Sequence, residues 1–232
     1  MPDSDWNDAT SIKANMAAFS KQGLAQAGPP EATLIEDYID ITMRDGAVCP
    51  AKVYRPFEQL GEGSPLIVQI YGGGFISGDN DSLTAMARAW VRLFGAVVVS
   101  ISYRLAPEHK WPVPWNDAWD STAWVAEHAA ELRADPHKGF IIGGVSAGAS
   151  LSAFITNESQ TNKLAHPITG QWLCVPSLMS RDAVPEKYKA YHLSLEHNEY
   201  APIFPTSALD SLRRHVEWDD QSRTRWPALY PT

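Results

Sequence analysis

In the segment GFIIGGVSAGAS an apolar run ends in Gly143-Gly144, Ser146 follows, and Ala147-Gly148 lead into a stretch of helical character. Gly144-Val145-Ser146-Ala147-Gly148 matches G-x-S-x-G, a pattern that places a serine on a strained corner between strand and helix. A serine held there can act as a nucleophile toward an acyl carbon. The N–H groups at the start of the following helix face the oxyanion that develops. The pattern alone is weak evidence, because glycine is near 7% of residues and chance yields a match in about one such chain in twelve. Its position, at a strand end and a helix start, is what gives it weight.

Two further motifs lie upstream. Tyr71-Gly72-Gly73-Gly74-Phe75 directly follows the apolar run LIVQIY. Consecutive glycines let a backbone approach a ligand and aim its N–H groups inward, and such donors are each worth about 10²–10³ in turnover in acyl transfer. A phosphate-binding loop is the rival reading, but no Walker lysine follows the glycines and the G-x-G-x-x-G spacing is absent. The third motif, Tyr103-Arg104-Leu105-Ala106-Pro107-Glu108-His109, follows the run AVVVSIS.

These motifs need a scaffold, and the hydrophobic pattern predicts one. Residues 34–43 and 47–55 alternate around Arg44-Asp45-Gly46, as a hairpin of amphipathic strands does. Pro50 in the second of them calls for an edge or a bulge. Residues 66–71, 96–102 and 139–143 are short continuous apolar runs, expected of strands buried on both faces of a parallel sheet, and 168–176 reads as one more strand. Helices are predicted at 7–22, 82–94 with Ser82 as N-cap, 116–132, from just after Ser146 to about 158, and 207–217. Alternating β and α elements after a hairpin imply a doubly wound α/β fold.

GGGF, YRLAPEH and G-x-S-A-G, in this order, resemble the hormone-sensitive-lipase-like branch of the α/β hydrolases, which includes bacterial esterases and arylacetamide deacetylases. The resemblance spans about residues 35–180. It implies a carboxylic-ester hydrolase with Ser146 as nucleophile and an oxyanion hole from the N–H groups of Gly73, Gly74 and Ala147. It makes the YRLAPE stretch, with Arg104 and Glu108, a brace for the site. It also implies a division into an N-terminal cap segment (1–33), a hydrolase core (34–176) and a cap- or lid-like segment (177–232). The substrate is expected to be a small hydrophobic ester, with no cofactor and no metal.

Two departures stand out. Tyr71 stands where the family usually has histidine before the glycines. Nor do the segments resembling DPLRD and HGF, which carry the family's acid and base after two further strands, occur. The fold is therefore expected to lack those last two strands, leaving 168–176 as an open edge through which copies of the chain could associate. Neither the triad acid nor its histidine is identified. His109 and Asp117 precede the serine, against the chain order of this fold. His166, His192, His197 and His215, with Asp182, Glu196, Asp210, Asp219 and Asp220, read as surface residues. The alternative function is a non-catalytic protein that binds a small hydrophobic ligand in the same pocket.

Composition narrows the partners. A formal net charge of −8 over 232 residues argues against nucleic acid. No stretch approaches the roughly 18 apolar residues of a membrane span. The N-terminus lacks a basic region followed by an apolar one, so a cytoplasmic location is expected. Cys49 and Cys174 are far apart in sequence and are expected to be reduced thiols.

Overall fold

The computed structural model describes residues 5–58, 63–202 and 204–229. Its centre is a six-stranded sheet of β1 (Leu34–Thr42), β2 (Val48–Pro56), β3 (Leu66–Ile70), β4 (Val97–Ile101), β5 (Phe140–Val145) and β6 (Gly170–Cys174). The spatial order is β1-β2-β4-β3-β5-β6. The first two strands form the antiparallel hairpin, β2 pairs antiparallel to β4, and β3 to β6 are parallel with β4. Every residue of β3 and β4 is buried, as continuous apolar runs require when helices cover both faces.

Pro50 sits inside β2, which is not an edge strand. Its position is nevertheless tolerated, because β4 pairs only with Lys52 to Tyr54 and leaves the Pro50 end of β2 with β1 alone. At the other side, β6 pairs among the described residues only with β5, and none of its five residues is fully buried.

The helices are α1 (Ala9–Ala27), α2 (Thr84–Phe94), α3 (Val113–Glu127), α4 (Ala147–Glu158), the single turns α5 (Glu186–Lys189) and α6 (Ser194–His197), and α7 (Thr206–Val216). Several boundaries differ from the sequence reading: α3 ends at Glu127 rather than 132 because the chain goes into turns there, and three others have a local cause. Helix α1 runs five residues further, since GLAQA supplies mostly strong helix formers before Gly28 ends it at φ 69°. Helix α3 begins inside KWPVPW, where prolines fit a first turn whose N–H groups have no intrahelical acceptor. Ser82 is not the cap of α2; that position is Leu83, and the Ser82 hydroxyl bonds Asp79 instead.

The segment after β6 contributes to the core. Leu212 and Val216 of α7, with Trp218 and Trp226, belong to the main core alongside Val68, Phe75 and Trp115. Their spacing within a charged, proline-rich stretch hid that role. No helix among the described residues is long and apolar enough to cross a membrane.

Candidate active site

Strand β5 delivers Ser146 at φ 54° and ψ −115°, a left-handed backbone that non-glycine residues seldom adopt. Such strain persists where the surroundings over-determine it. Its N–H is bonded to Cys174 O at 2.8 Å, at the end of β6. The serine occupies the N-cap position of α4, yet its hydroxyl caps nothing and stays available.

The flanking glycines have distinct causes. A Cβ on Gly148 would meet the carbonyls of Ile70 and Tyr71 within 3.0 Å, and one on Gly144 would meet Ile70 O and Gly148 itself. Helix α4 therefore lies directly on the end of β3. Gly143 answers a different need, since the ring of Trp172, its partner on β6, occupies the space of any side chain there.

The three glycines after β3 come next to this corner. A Cβ on Gly72 would lie 3.2 Å from that of Ser146. Gly73 (φ 123°) and Gly74 (φ 65°) take conformations that side chains resist. The Gly73 carbonyl is turned into the following turn, accepting from Ile76 N and Ser77 N. Among the described residues no acceptor engages the N–H of Gly73, Gly74 or Ala147. Leu212 of α7 packs against Gly74 from outside.

Tyr71 steadies this loop in its own way. Its ring stacks on Tyr103 at 4.6 Å, and the two exchange hydrogen bonds, each hydroxyl donating to the other's carbonyl at 3.2–3.3 Å. The pair joins the GGG loop to the start of YRLAPEH. Farther along, Arg104 grips the buried Asp117 of α3 through its backbone N–H and its guanidinium at 2.7–2.9 Å. Glu108 is paired with Lys13 of α1. His109 and Asp117 thus lie in the bracing loop and its anchor.

Ser146, Gly72, Gly73 and Gly74 line a cavity of about 280 Å³ whose opposite wall is Trp6, Ile12, Met16, Phe19 and Phe204. Helix α1 supplies three of those five apolar side chains. It is tied down by Ser20 on Asp79 at 2.7 Å and by Arg88, which donates to Ala27 O and Gly28 O.

The histidines are elsewhere. None of the seven lines this cavity or bonds Ser146. His215 Nδ1 lies 2.8 Å from Ser211 O within α7, and the rings of His166 and His137 meet edge to face. His192 lines a separate cavity with Asp182, Asp210 and Asp220. Glu196 pairs with Arg181, and Asp219 caps the turn at Gln221. His197 belongs to the single turn α6.

Cys49 lies beside Asp117, and burial together with that carboxylate pushes its thiol up to about 12. Cys174 is exposed. Thiolate is the reactive form, so iodoacetamide at neutral pH should modify Cys174 alone in native protein and both thiols after unfolding. Mass spectrometry of the alkylated protein checks this; rapid native labelling of Cys49 would contradict it.

A strand-to-helix serine, a glycine loop beside it and this sheet order define an α/β hydrolase, and comparison with known proteins agrees. The model of a family described as alpha/beta hydrolase fold matches residues 67–231, and the chain belongs to that family. It is 32% identical over 206 residues to an AB hydrolase superfamily protein of Schizosaccharomyces pombe, covering 88% of this chain and 60% of that protein. It is likewise 32% identical over 201 residues to a versiconal hemiacetal acetate esterase of Dothistroma septosporum, covering 85% and 60%. Among solved structures, the hyperthermophilic esterase of the archaeon Pyrobaculum calidifontis superposes with a TM-score of 0.82 at 28% identity, over 97% of this chain and 70% of that one. The chain therefore spans about three fifths of the length of the curated relatives it matches.

Proposed function

We propose that this chain carries the nucleophile, oxyanion donors and acyl pocket of a carboxylic-ester hydrolase acting on small hydrophobic esters. The observation that carries the reading is Ser146 itself. Its hydroxyl is unused by α4, and it borders an apolar cavity lined by Gly73 and Gly74, whose N–H groups meet no acceptor among the described residues. Ser146 Oγ attacks the ester carbonyl and the N–H groups of Gly73, Gly74 and Ala147 receive the oxyanion; as it collapses the ester C–O bond breaks, and the departing alkoxide leaves as the alcohol with the proton that the serine gives up. Helix α1 acts as a cap, its Ile12, Met16 and Phe19 contacting the apolar part of the substrate. The esterase names of its relatives favour this reading over a ligand-binding one.

No histidine of this chain touches Ser146, and loss of a triad base costs on the order of 10⁶ in turnover. The base serves both the attack of the serine and the later attack of water, so the isolated chain is expected to be acylated slowly, and only by activated reagents, with little turnover. Incubation with p-nitrophenyl acetate or a fluorophosphonate should place one acyl or phosphonyl group on Ser146, read by peptide mass spectrometry, and Ser146→Ala should abolish it. Folded protein that leaves Ser146 unmodified after prolonged exposure to both reagents would sink the proposal.

A further inference from the structure

The corner holding Ser146 is closed on one side by residues that no motif marks. Beyond Cys174, whose carbonyl accepts the Ser146 N–H, the chain turns through Val175 at φ 48°. That conformation is rare for a β-branched residue, and the Val175 side chain is 71% exposed, so its own burial does not hold it there. The hold comes from two residues further on. The Ser177 N–H donates to Ser150 Oγ at 2.9 Å, and Ser150 Oγ donates to Ser177 O at 3.0 Å. Ser150 is 1% exposed and sits in the first turn of α4, with Oγ also 3.3 Å from Ser146 O. Behind it the buried Arg225, its guanidinium over the rings of Trp218 and Trp226, donates to the same Ser177 carbonyl at 3.4 Å.

The result is a closed ring. From Ser146 it passes through the first turn of α4 to Ser150, across to Ser177, back through Val175 to Cys174, and across to Ser146 again. It contains two left-handed non-glycine residues and is pinned at both crossings by hydrogen bonds. We propose that Ser150 is a positioning residue for the nucleophile: its hydroxyl holds Ser177, which keeps Val175 left-handed and so fixes the Cys174 carbonyl that orients Ser146. The kinetic part of this proposal rests on the ester-hydrolase reading; the structural part does not.

Both parts can be tested on the full chain. In Ser150→Ala, hydrogen exchange should show the amides of Ser177 and Ser146 losing protection about fivefold to tenfold, while the Ile142 amide inside β5 keeps its own. The rate of Ser146 modification at saturating fluorophosphonate should fall about 10- to 100-fold, the scale of a small misplacement of a reacting group, with the half-saturating concentration unchanged. Adding Val175→Gly, which adopts the left-handed backbone without strain, should restore much of that rate. A general loss of packing would not be rescued in this way. Should Ser150→Ala not fold, Ser150→Cys, which keeps the bulk and weakens the hydrogen bond, carries the same measurements.

Unchanged protection at the Ser146 amide overturns the proposal whatever the kinetics. Absence of rescue by Val175→Gly overturns the role assigned to the Val175 turn. If wild-type Ser146 is not modified at all, the hydrolase reading fails, and the exchange measurement still decides the positioning role.

Discussion

Gly148→Ala is expected to destabilise the protein by more than about 3 kcal/mol, at or beyond the upper range of overpacking by a single methyl group. The new Cβ would fall within 3.0 Å of the Ile70 and Tyr71 carbonyls, which are backbone atoms at the end of β3. A flexible side chain could swing aside; a central strand cannot. Helix α4 must then lift from the sheet, and with it Ser146 leaves the glycine loop. Chemical denaturation should report the lost stability, and fluorophosphonate modification of Ser146 should fall with it. Gly23→Ala is the matched control. Gly23 lies inside α1 with nothing near its Cβ position, so alanine there should stabilise by about 0.5–1 kcal/mol. Equal effects of the two substitutions would refute the close-approach account of the G-x-S-x-G glycines.

Glu36→Gln should have an effect of similar size for an electrostatic reason. The Glu36 carboxylate lies between Lys52, at 3.1 Å, and Arg88, and all three side chains are only 6–7% exposed. Removing one member of a buried ionic group leaves uncompensated charge and typically costs about 3–5 kcal/mol. For a chain of this size that is roughly 6–20 °C in Tm. Lys52 retains Asp81 at 2.7 Å, so the larger share falls on Arg88. Arg88 also holds the carbonyls that end α1, which makes loosening of that helix part of the outcome.

The pH dependence has a definite sign. Burial opposes ionisation of Glu36, but its hydrogen bonds to Arg88 and Lys52 outweigh that and hold its carboxyl below the usual range. A group lowered in this way contributes fully above its unfolded pKa, about 4.3 for glutamate, and loses the contribution as pH falls through the folded value. The Tm gap between wild type and Glu36→Gln should therefore be widest near neutrality and narrow in acid. A gap that widens as the solution is acidified would overturn the assignment.

Much of the scaffold was legible because it is written in local periodicity. Short, β-branched-rich apolar runs bounded by turn residues fit strands covered on both faces, and β3 and β4 are buried throughout. The hairpin announced itself through alternation around Arg44-Asp45-Gly46. The motifs were legible for the same reason. A serine with glycines two residues away on both sides, or three glycines in a row, are local answers to a backbone conformation. Less legible was the stretch after Pro176, where prolines and charges conceal the four core residues Leu212, Val216, Trp218 and Trp226.

The sequence by itself determined the order of strands and helices, the family resemblance and the serine to examine, since each follows from residues near one another along the chain. Tertiary structure alone decided what depends on residues far apart. Gly143 is small because Trp172 lies across from it. Ser150 meets Ser177 only because β6 ends beside α4. Arg88 reaches the end of α1 from some sixty residues away. None of the histidines comes to Ser146, although several follow it in the chain. Periodicity is a property of a single segment, whereas a clamp, an ion cluster or a catalytic pair exists only once packing has set the distances between segments.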